Sequence, residues 1–291
     1  MNTQIQIQPQ NKVQINKKIL KQVIIETFAV LVSLVVFGIP FYFVVINSFK
    51  TSAEAAEMSM AWPKTFQIVE NYKEVLATQN GIVIRAFFNS TIITLGSILV
   101  LIIVCSMAGF VLQRRNDKAS PFINFLVLAG LMIPPAVVPT IWVLNKLALF
   151  KTFTGMILVE VALNFPFCTL LYKAFTATIP KEIDEAAIVD GCGPVRLFFQ
   201  IIFPLLKSVT ATVIVLTSVN VFNDFVNPLY FLPGARNATV QLTLYNFTGQ
   251  YLSSWNLLFA DVVLISIPPL ILFILFNKKI VAGMVAGSVK G

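Results

Sequence analysis

Histidine is absent from this 291-residue chain, and charged side chains make up only 12% of it. The chain therefore lacks the side chain that most often serves as general base or metal ligand near neutral pH. Its three cysteines, Cys105, Cys168 and Cys192, have separations that match no metal-binding or disulfide pattern, so we expect free thiols. With no metal site and no nucleophile–base arrangement in view, we expect a protein that is not an enzyme.

The phosphate-binding pattern G-x-x-x-x-G-K-[ST] is also absent, although the glycines and lysine near the C-terminus superficially resemble it. The chain is therefore not expected to hydrolyse ATP alone. A net charge of +8 can indicate a nucleic-acid partner. Here the basic residues lie beside apolar runs, which a membrane topology bias explains better, so no nucleic acid is expected.

Apolar residues dominate what is present. They make up 57% of the chain, and the charged share is about half of the roughly 25% that is typical of soluble domains. We predict an all-α integral membrane protein, with a domain at 23–277 between tails at 1–22 and 278–291. Six apolar runs predict six spans, at about 23–46, 87–112, 122–144, 153–175, 209–232 and 257–276. Pro134 and Pro135 predict a kinked or broken third span.

The distribution of basic residues predicts the orientation of these spans. Fourteen of the 21 Lys and Arg residues lie in the two tails, in the loop near 113–120 and in 173–207, which six spans place on one side. The positive-inside rule assigns that side to the cytoplasm. The outer loops are then 47–86 and 233–256.

The longest late stretch that does not resemble a span is 179–207. Pro180 and the acids that follow it favour a helix N-terminus, and Gly191 with Gly193 predicts its end. Pro194 then begins a second, amphipathic helix. Ile183, Ala186, Ala187 and Asp190 follow the i, i+3, i+4, i+7 spacing of one helix face, and its alanines would let another surface come close to the backbone. Periodicity alone also fits an ordinary amphipathic loop.

Polar side chains inside predicted spans are costly and therefore functional candidates. Glu160 lies in the fourth span, Asp261 begins the sixth, and the fifth carries a stripe at i, i+3, i+4, i+7: Asn220, Asn223, Asp224 and Asn227. This stripe favours a water-filled path in which amides and a carboxylate bind sugar hydroxyls, with Tyr230 available for stacking. Bonding between neighbouring helices is the alternative explanation.

The order Glu185-Ala186-Ala187, then Asp190-Gly191, then Pro204 resembles the EAA loop of ATP-binding-cassette (ABC) importer permeases, with Phe203 where that family usually has leucine. The resemblance implies a type I permease fold of six spans in which this loop is a coupling helix that docks on an ATPase subunit.

Further residues resemble the carbohydrate branch of the family, and in particular its maltose-type second permease. They include Asn223-Asp224-Phe225 and the Gly-rich ending at Gly287, Lys290 and Gly291, a tail that in the family reaches towards the ATPase subunits.

The resemblance implies a bacterial inner-membrane subunit, with both termini cytoplasmic, of an importer for a sugar or oligosaccharide. Its partners would be a second homologous permease, two cytoplasmic ATPase subunits, an extracytoplasmic sugar-binding protein and membrane lipid. ATP and Mg²⁺ would bind to the ATPases, so no cofactor is expected in this chain. The alternatives are a permease for another solute delivered by a binding protein, or a secondary transporter that works alone on an ion gradient.

Overall fold

The computed structural model describes residues 17–249 and 253–288 of the chain, with side-chain environments for 21–249 and 253–276. Within those residues the chain is helical and forms no β-strand. The helices, in chain order, are α1 (Lys17–Ser33), α2 (Ile39–Ser48), α3 (Ser52–Ala56), α4 (Ile68–Arg114), α5 (Ser120–Met132), α6 (Val137–Lys146), α7 (Phe153–Thr176), α8 (Glu182–Val189), α9 (Pro194–Arg196), α10 (Phe203–Leu205), α11 (Lys207–Phe222), α12 (Val226–Phe231), α13 (Val240–Thr243) and α14 (Trp255–Ser288). Wider π-helical turns at Leu34–Gly38 and Leu197–Ile202 connect α1 to α2 and α9 to α10.

Four helical segments in the described part of the chain are long and apolar enough to cross a membrane. They are Lys21–Ser48, Ile68–Arg114, Phe153–Thr176 and Trp255–Phe276. Two bent helix pairs, Ser120–Met132 with Val137–Lys146 and Pro194–Leu205 with Lys207–Phe222, reach that length only when each pair is taken as one span. The described residues therefore hold four to six spans, and the chain is a multi-pass membrane protein.

The predicted third span is broken, as its prolines indicate. Helices α5 and α6 meet at 118° across the break that holds Pro134 and Pro135. Proline has no N–H to donate and its ring clashes with the preceding turn, so two in succession end α5.

The predicted fifth span, 209–232, is not one helix, and this part of the prediction is wrong. Helix α11 ends at Phe222, residues 223–225 are not helical, and α12 begins at Val226. A second bend, of 76°, separates Pro194–Leu205 from α11.

The predicted second span, 87–112, lies in the C-terminal half of a longer helical run. Helix α4 begins at Ile68, inside the predicted outer loop 47–86. Gln79, Asn80 and Gly81 adopt positive φ values of 45°, 56° and 75°, which break the run into two helices.

Buried polar side chains fix the remainder of that outer loop. The Lys50 side chain is 2% exposed, and its Nζ donates to Asn47 Oδ1 at 3.0 Å and to the Ser59 carbonyl at 2.7 Å. Asn71 Nδ2 donates to the carbonyls of Ser48 and Lys50, each at 2.9 Å. These bonds satisfy groups that are costly to bury unpaired, so the loop has a defined conformation.

Helices α4 and α7 pack along most of their membrane length and form the centre of the bundle. The two helices approach closely at Gly109, where a Cβ atom would lie 2.6 Å from Tyr172 Cβ and 2.8 Å from the Lys173 backbone nitrogen. Only glycine permits this contact. Cys105 and Cys168 are buried beside it as free thiols, and Cys192 is a half-buried free thiol, as the sequence predicts.

The predicted sixth span and C-terminal tail form one helical backbone. Helix α14 runs from Trp255 to Ser288, so Gly287 of the predicted tail lies in its last turn. Lys290 and Gly291 lie outside the described residues.

Candidate functional site

The stretch 179–207 contains the short helix α8, whose ends follow from its sequence. Glu182, Asp184 and Glu185 occupy the first turn, where negative charge is favourable. Pro180 is predicted to occupy the first position of the helix, but it precedes the helix by two residues.

At the end of α8, Gly191 takes a φ of +75°. Its N–H donates to the Ile188 carbonyl at 3.0 Å, and the Cys192 N–H donates to the Ala187 carbonyl at 2.9 Å. This pair of bonds is the Schellman arrangement, which satisfies carbonyls that have no partner at a helix end. The predicted helix stop at Gly191 is thus confirmed, and Pro194 begins the next helix as predicted.

The predicted face of α8 contains both buried and exposed residues. Ala187 is 6% exposed and packs in the core cluster that contains Leu197 and Phe198. Of the other predicted docking residues, those that are exposed to solvent are Glu185, Ala186, Asp190, Gly191 and Pro204. The expectation that both alanines share an open face is therefore wrong for Ala187, because the helix uses that residue to pack against its own chain.

An ion pair attaches α8 to the membrane bundle. Arg114, the last residue of α4, donates from Nε to Asp184 Oδ2 at 2.6 Å and from Nη2 to the Ile179 carbonyl at 3.0 Å. The Arg114 and Asp184 side chains are each 13% exposed. No sequence pattern indicates this pair, because its members lie 70 positions apart. A charge-assisted contact of this kind fixes the direction of α8 relative to α4.

Apolar side chains are exposed at the end of α8 and just after Pro194. Ile188, Val189 and Val195 are 60%, 86% and 70% exposed. They lie next to the exposed Glu185, Ala186 and Asp190 and were not singled out from the sequence. Apolar groups exposed together at the end of a helical bundle are typical of a surface that another protein covers.

A second region, which we call the polar cleft, opens where both broken helices meet α7. It has a volume of about 680 Å³. It is lined by the end of α5 (Gly130, Leu131), the α5–α6 break (Ile133, Pro135), α7 (Glu160, Leu163, Asn164) and residues within 219–227. Non-helical backbone inside a membrane bundle is tolerated where it lines a cavity. The cleft therefore explains how the chain tolerates both helix breaks.

The predicted polar stripe lines this cleft, although it does not lie on one helix. Asn220 belongs to α11, Asn223 and Asp224 to the break, and Asn227 to α12. Tyr230, the fifth predicted residue, is exposed and does not line the cleft. The four side chains therefore do not form the predicted stripe on one helix, but all four line the same cavity.

Hydrogen bonds hold the polar side chains in place. Asn220 Nδ2 donates to Asn164 Oδ1 at 2.7 Å, which links α11 to α7. Asp224 Oδ1 accepts from the N–H groups of Val226 and Asn227 at 3.0 and 3.2 Å and so caps α12. The structure therefore contains both the interhelical bonding and the polar cavity that the sequence left as alternatives.

Glu160 lies at the floor of the polar cleft and is 2% exposed. It is the acid that the sequence predicts within the fourth span, and its two carboxyl oxygens differ in their hydrogen bonding. Asn164 Nδ2 lies 3.4 Å from Oε2, whereas Oε1 has no hydrogen-bond partner among the described residues. The residues that the structure describes contain no group of three or more acidic or cysteine side chains able to hold a metal ion.

These helices, the polar cleft and the exposed end at α8 define a multi-pass membrane permease. A family model described as "Binding-protein-dependent transport system inner membrane component" matches residues 103–285. The chain belongs to this family of importer permeases.

Individual relatives agree with the family match. The probable starch degradation products transport system permease protein AmyC of Thermoanaerobacterium thermosulfurigenes is 33% identical over 86% of this chain and 91% of its own length. The melibiose/raffinose/stachyose import permease protein MelC of Bacillus subtilis is 32% identical over 87% and 91%.

The fold is also similar to that of a solved structure. A chain from a bacterial ABC transporter involved in the import of the acidic polysaccharide alginate aligns with a TM-score of 0.75. The alignment covers 90% of this chain and 95% of that chain at 16% identity. This similarity establishes a shared fold and nothing about the ligand.

Proposed function

We propose that this chain is the permease subunit of an ATP-driven importer for a sugar or oligosaccharide. It forms half of the translocation path and couples that path to cytoplasmic ATPase subunits. The observation that carries the proposal is the construction of α8: a short helix anchored to α4 through Arg114 and Asp184, with its own Ile188 and Val189 exposed.

The anchored helix supports a role in transmitting force. The contacts of Arg114 with Asp184 and with the Ile179 carbonyl join α8 to the end of α4, and Ala187 packs into the same core. A displacement of the exposed side of α8 by an ATPase subunit would therefore move α4 and α7 with it. Closure of the ATPases on ATP would switch the cavity between inward-facing and outward-facing states.

Several observations support a carbohydrate as the transported solute. The names of the relatives include starch degradation products and melibiose, raffinose and stachyose. The polar cleft presents amide side chains of Asn220, Asn223 and Asn227, groups that both donate to and accept from hydroxyls. Its lining also includes apolar side chains, which can contact the carbon face of a sugar ring.

The complete importer would contain a second homologous permease, two ATPase subunits and an extracytoplasmic sugar-binding protein, all within or against membrane lipid. Both termini and the stretch 179–207 would lie in the cytoplasm, consistent with the bias of basic residues. The Gly-rich ending of the chain, with Gly287, Lys290 and Gly291, would contact the ATPases, as the resemblance to the carbohydrate branch implies.

The test is charge reversal at Glu185, whose side chain is exposed on α8. The full complex is purified with wild-type chain and with Glu185→Lys, and ATPase subunit retention and ATP-driven uptake of maltotriose, melibiose and raffinose are measured in vesicles. We expect at least a tenfold loss of uptake and loss of bound ATPase from the variant, with the chain still inserted in the membrane.

Lys118→Glu is the matched control, because it reverses an exposed charge in the neighbouring α4–α5 loop and leaves α8 unchanged. It should retain uptake and assembly. Full activity of Glu185→Lys would contradict the proposal. Uptake by the isolated chain under an ion gradient, without ATP, would establish a secondary transporter.

A further inference from the structure

The floor of the polar cleft carries an acceptor without a donor. Glu160 is 2% exposed and its Oε1 has no hydrogen-bond partner among the described residues. A polar atom buried in this way costs free energy until a donor reaches it. The interhelical bond between Asn164 and Asn220 does not involve Oε1, so helix packing does not account for that oxygen.

A second carboxyl group lines the same cleft. Asp224 is half-buried there, and it belongs to the segment between α11 and α12, whereas Glu160 belongs to α7. Two acidic side chains in one cleft favour hydrogen-bond donors and disfavour anions. The described residues lining the cleft include no Lys or Arg to neutralise the acidic side chains.

The lining of the cleft also includes apolar side chains, among them Leu131, Ile133 and Phe225. Phe225 also packs on Tyr245 with ring centroids 5.4 Å apart, which holds the Phe225 ring in place. A ligand that matches this lining has hydroxyl donors, carbon–hydrogen surface and no anionic group.

We propose that Glu160 and Asp224 form a hydroxyl-binding subsite that admits neutral saccharides to the cleft and rejects saccharides bearing anionic groups. Hydroxyls donate to the carboxyl oxygens in charge-assisted hydrogen bonds, first at the more exposed Asp224. A uronate would instead bring a further negative charge into a site without a cation, where the repulsion is little screened. This subsite rests on the proposed sugar-importer function.

The fold by itself does not decide the charge of the ligand. The similar solved structure comes from an importer of an acidic polysaccharide. Selection against anions in this chain therefore depends on the side chains at the cleft floor, and it can be changed there without altering the architecture.

The experiment measures saccharide binding to the purified complex in lipid nanodiscs, without binding protein, by saturation-transfer-difference NMR. Nanodiscs are needed because maltoside detergents themselves carry a saccharide. The neutral probes are maltotriose, melibiose and raffinose, and the anionic probe is trigalacturonate. Wild type, Glu160→Gln, Asp224→Asn and the control Glu57→Gln are compared, the last at an exposed acid of the outer loop.

We expect wild type and Glu57→Gln to bind at least one neutral probe and to show no trigalacturonate signal. Glu160→Gln should weaken neutral binding at least fivefold and raise the trigalacturonate signal relative to it, with an unchanged melting temperature of the complex. Asp224→Asn should change the same ratio in the same direction. If Glu160→Gln prevents assembly of the complex, the Asp224→Asn variant alone tests the subsite.

Two results would overturn the subsite: equal binding of trigalacturonate and a neutral probe by wild type, or unchanged probe selectivity in both variants. A different result marks failure of the proposed function itself. In that case the wild-type complex binds no saccharide and none stimulates its ATP hydrolysis, and the subsite proposal falls with it.

Discussion

The stretch around α8 and the polar cleft lie at different ends of the molecule and are built in different ways. The first is continuous in sequence, since acids, alanines, Gly191 and Pro194 follow one another within a few turns. The cleft is assembled from three segments, and its polar side chains at Glu160 and Asp224 are 64 positions apart along the chain. A site that is continuous in sequence can be identified from its helix start and stop residues. A site assembled from distant segments can be identified only once the packing of the helices is known.

The two regions are mechanically connected because they share α7. This helix carries Glu160 and Asn164 at the cleft, and its other end leads into α8. Helix α4 packs along it and ends at Arg114, which bonds to α8. Variants that act on one region, or on the connection between them, therefore measure how independent the two are.

The largest effect is expected where α4 and α7 touch. Gly109→Ala places a methyl group 2.6 Å from Tyr172 Cβ and 2.8 Å from a backbone nitrogen, contacts that require the helices to separate. We expect about 3 kcal/mol of destabilisation, with loss of function in both regions. Thermal unfolding of the purified complex measures it.

The glycine control is Gly193→Ala, because a Cβ atom there has no neighbour within 4 Å and the residue has a φ of −71°. It should leave the melting temperature within about 2 °C of wild type. A tolerated Gly109→Ala would show that the helices are not in contact as described.

Detachment of α8 should have the next largest effect. Arg114→Ala leaves the largely buried Asp184 without its cation, which we expect to cost about 2 kcal/mol, below the range for fully buried pairs. Limited proteolysis should cut near 179–190 faster, while saccharide binding at the cleft is retained. The exchanged pair Arg114→Asp with Asp184→Arg should restore part of the protection, and equal proteolysis of wild type and Arg114→Ala would refute the anchor.

The exposed apolar surface should affect assembly and leave folding unchanged. Val189 is 86% exposed, so Val189→Asp removes no internal contact of the chain. We expect ATPase subunits to bind about tenfold more weakly, as for an apolar residue at the centre of an interface. Titration of the ATPase onto the purified permease pair measures this. The control is Val69→Asp, at an exposed apolar residue in the first turn of α4. Similar affinities for both variants would remove the surface beside α8 from the interface.

The smallest effect concerns the α4–α5 loop, outside the membrane. Hydrogen bonds from Ser120, with a further contribution from Arg115, lower the pKa of the Asp117 carboxyl below its usual range. A lowered folded-state pKa stabilises the fold above the unfolded-state value, and this contribution disappears as the pH falls through the folded-state value. Asp117→Asn should lower the melting temperature by about 1 °C at pH 7. The difference should close on acidification, and a difference that grew in acid would contradict this assignment.

Much of the stretch around α8 could be predicted because its determinants are local. Acids at a helix start, Gly191 at its end and Pro194 at the next start act through backbone groups a few residues away, and the structure has each helix boundary within about two residues. The burial of Ala187 and the ion pair of Asp184 with Arg114 could not be predicted, since both depend on how α8 lies against other helices.

The sequence alone determined that this is a helical membrane protein with free thiols, a broken third span and a short helix that ends at Gly191. Composition, apolar run length and proline chemistry are enough for these, because each acts over one segment. The tertiary structure decided that the predicted fifth span is broken at Asn223–Phe225 and that its polar residues meet Glu160 in one cleft. Residues far apart in the chain come together only through helix packing, and packing depends on all the segments at once.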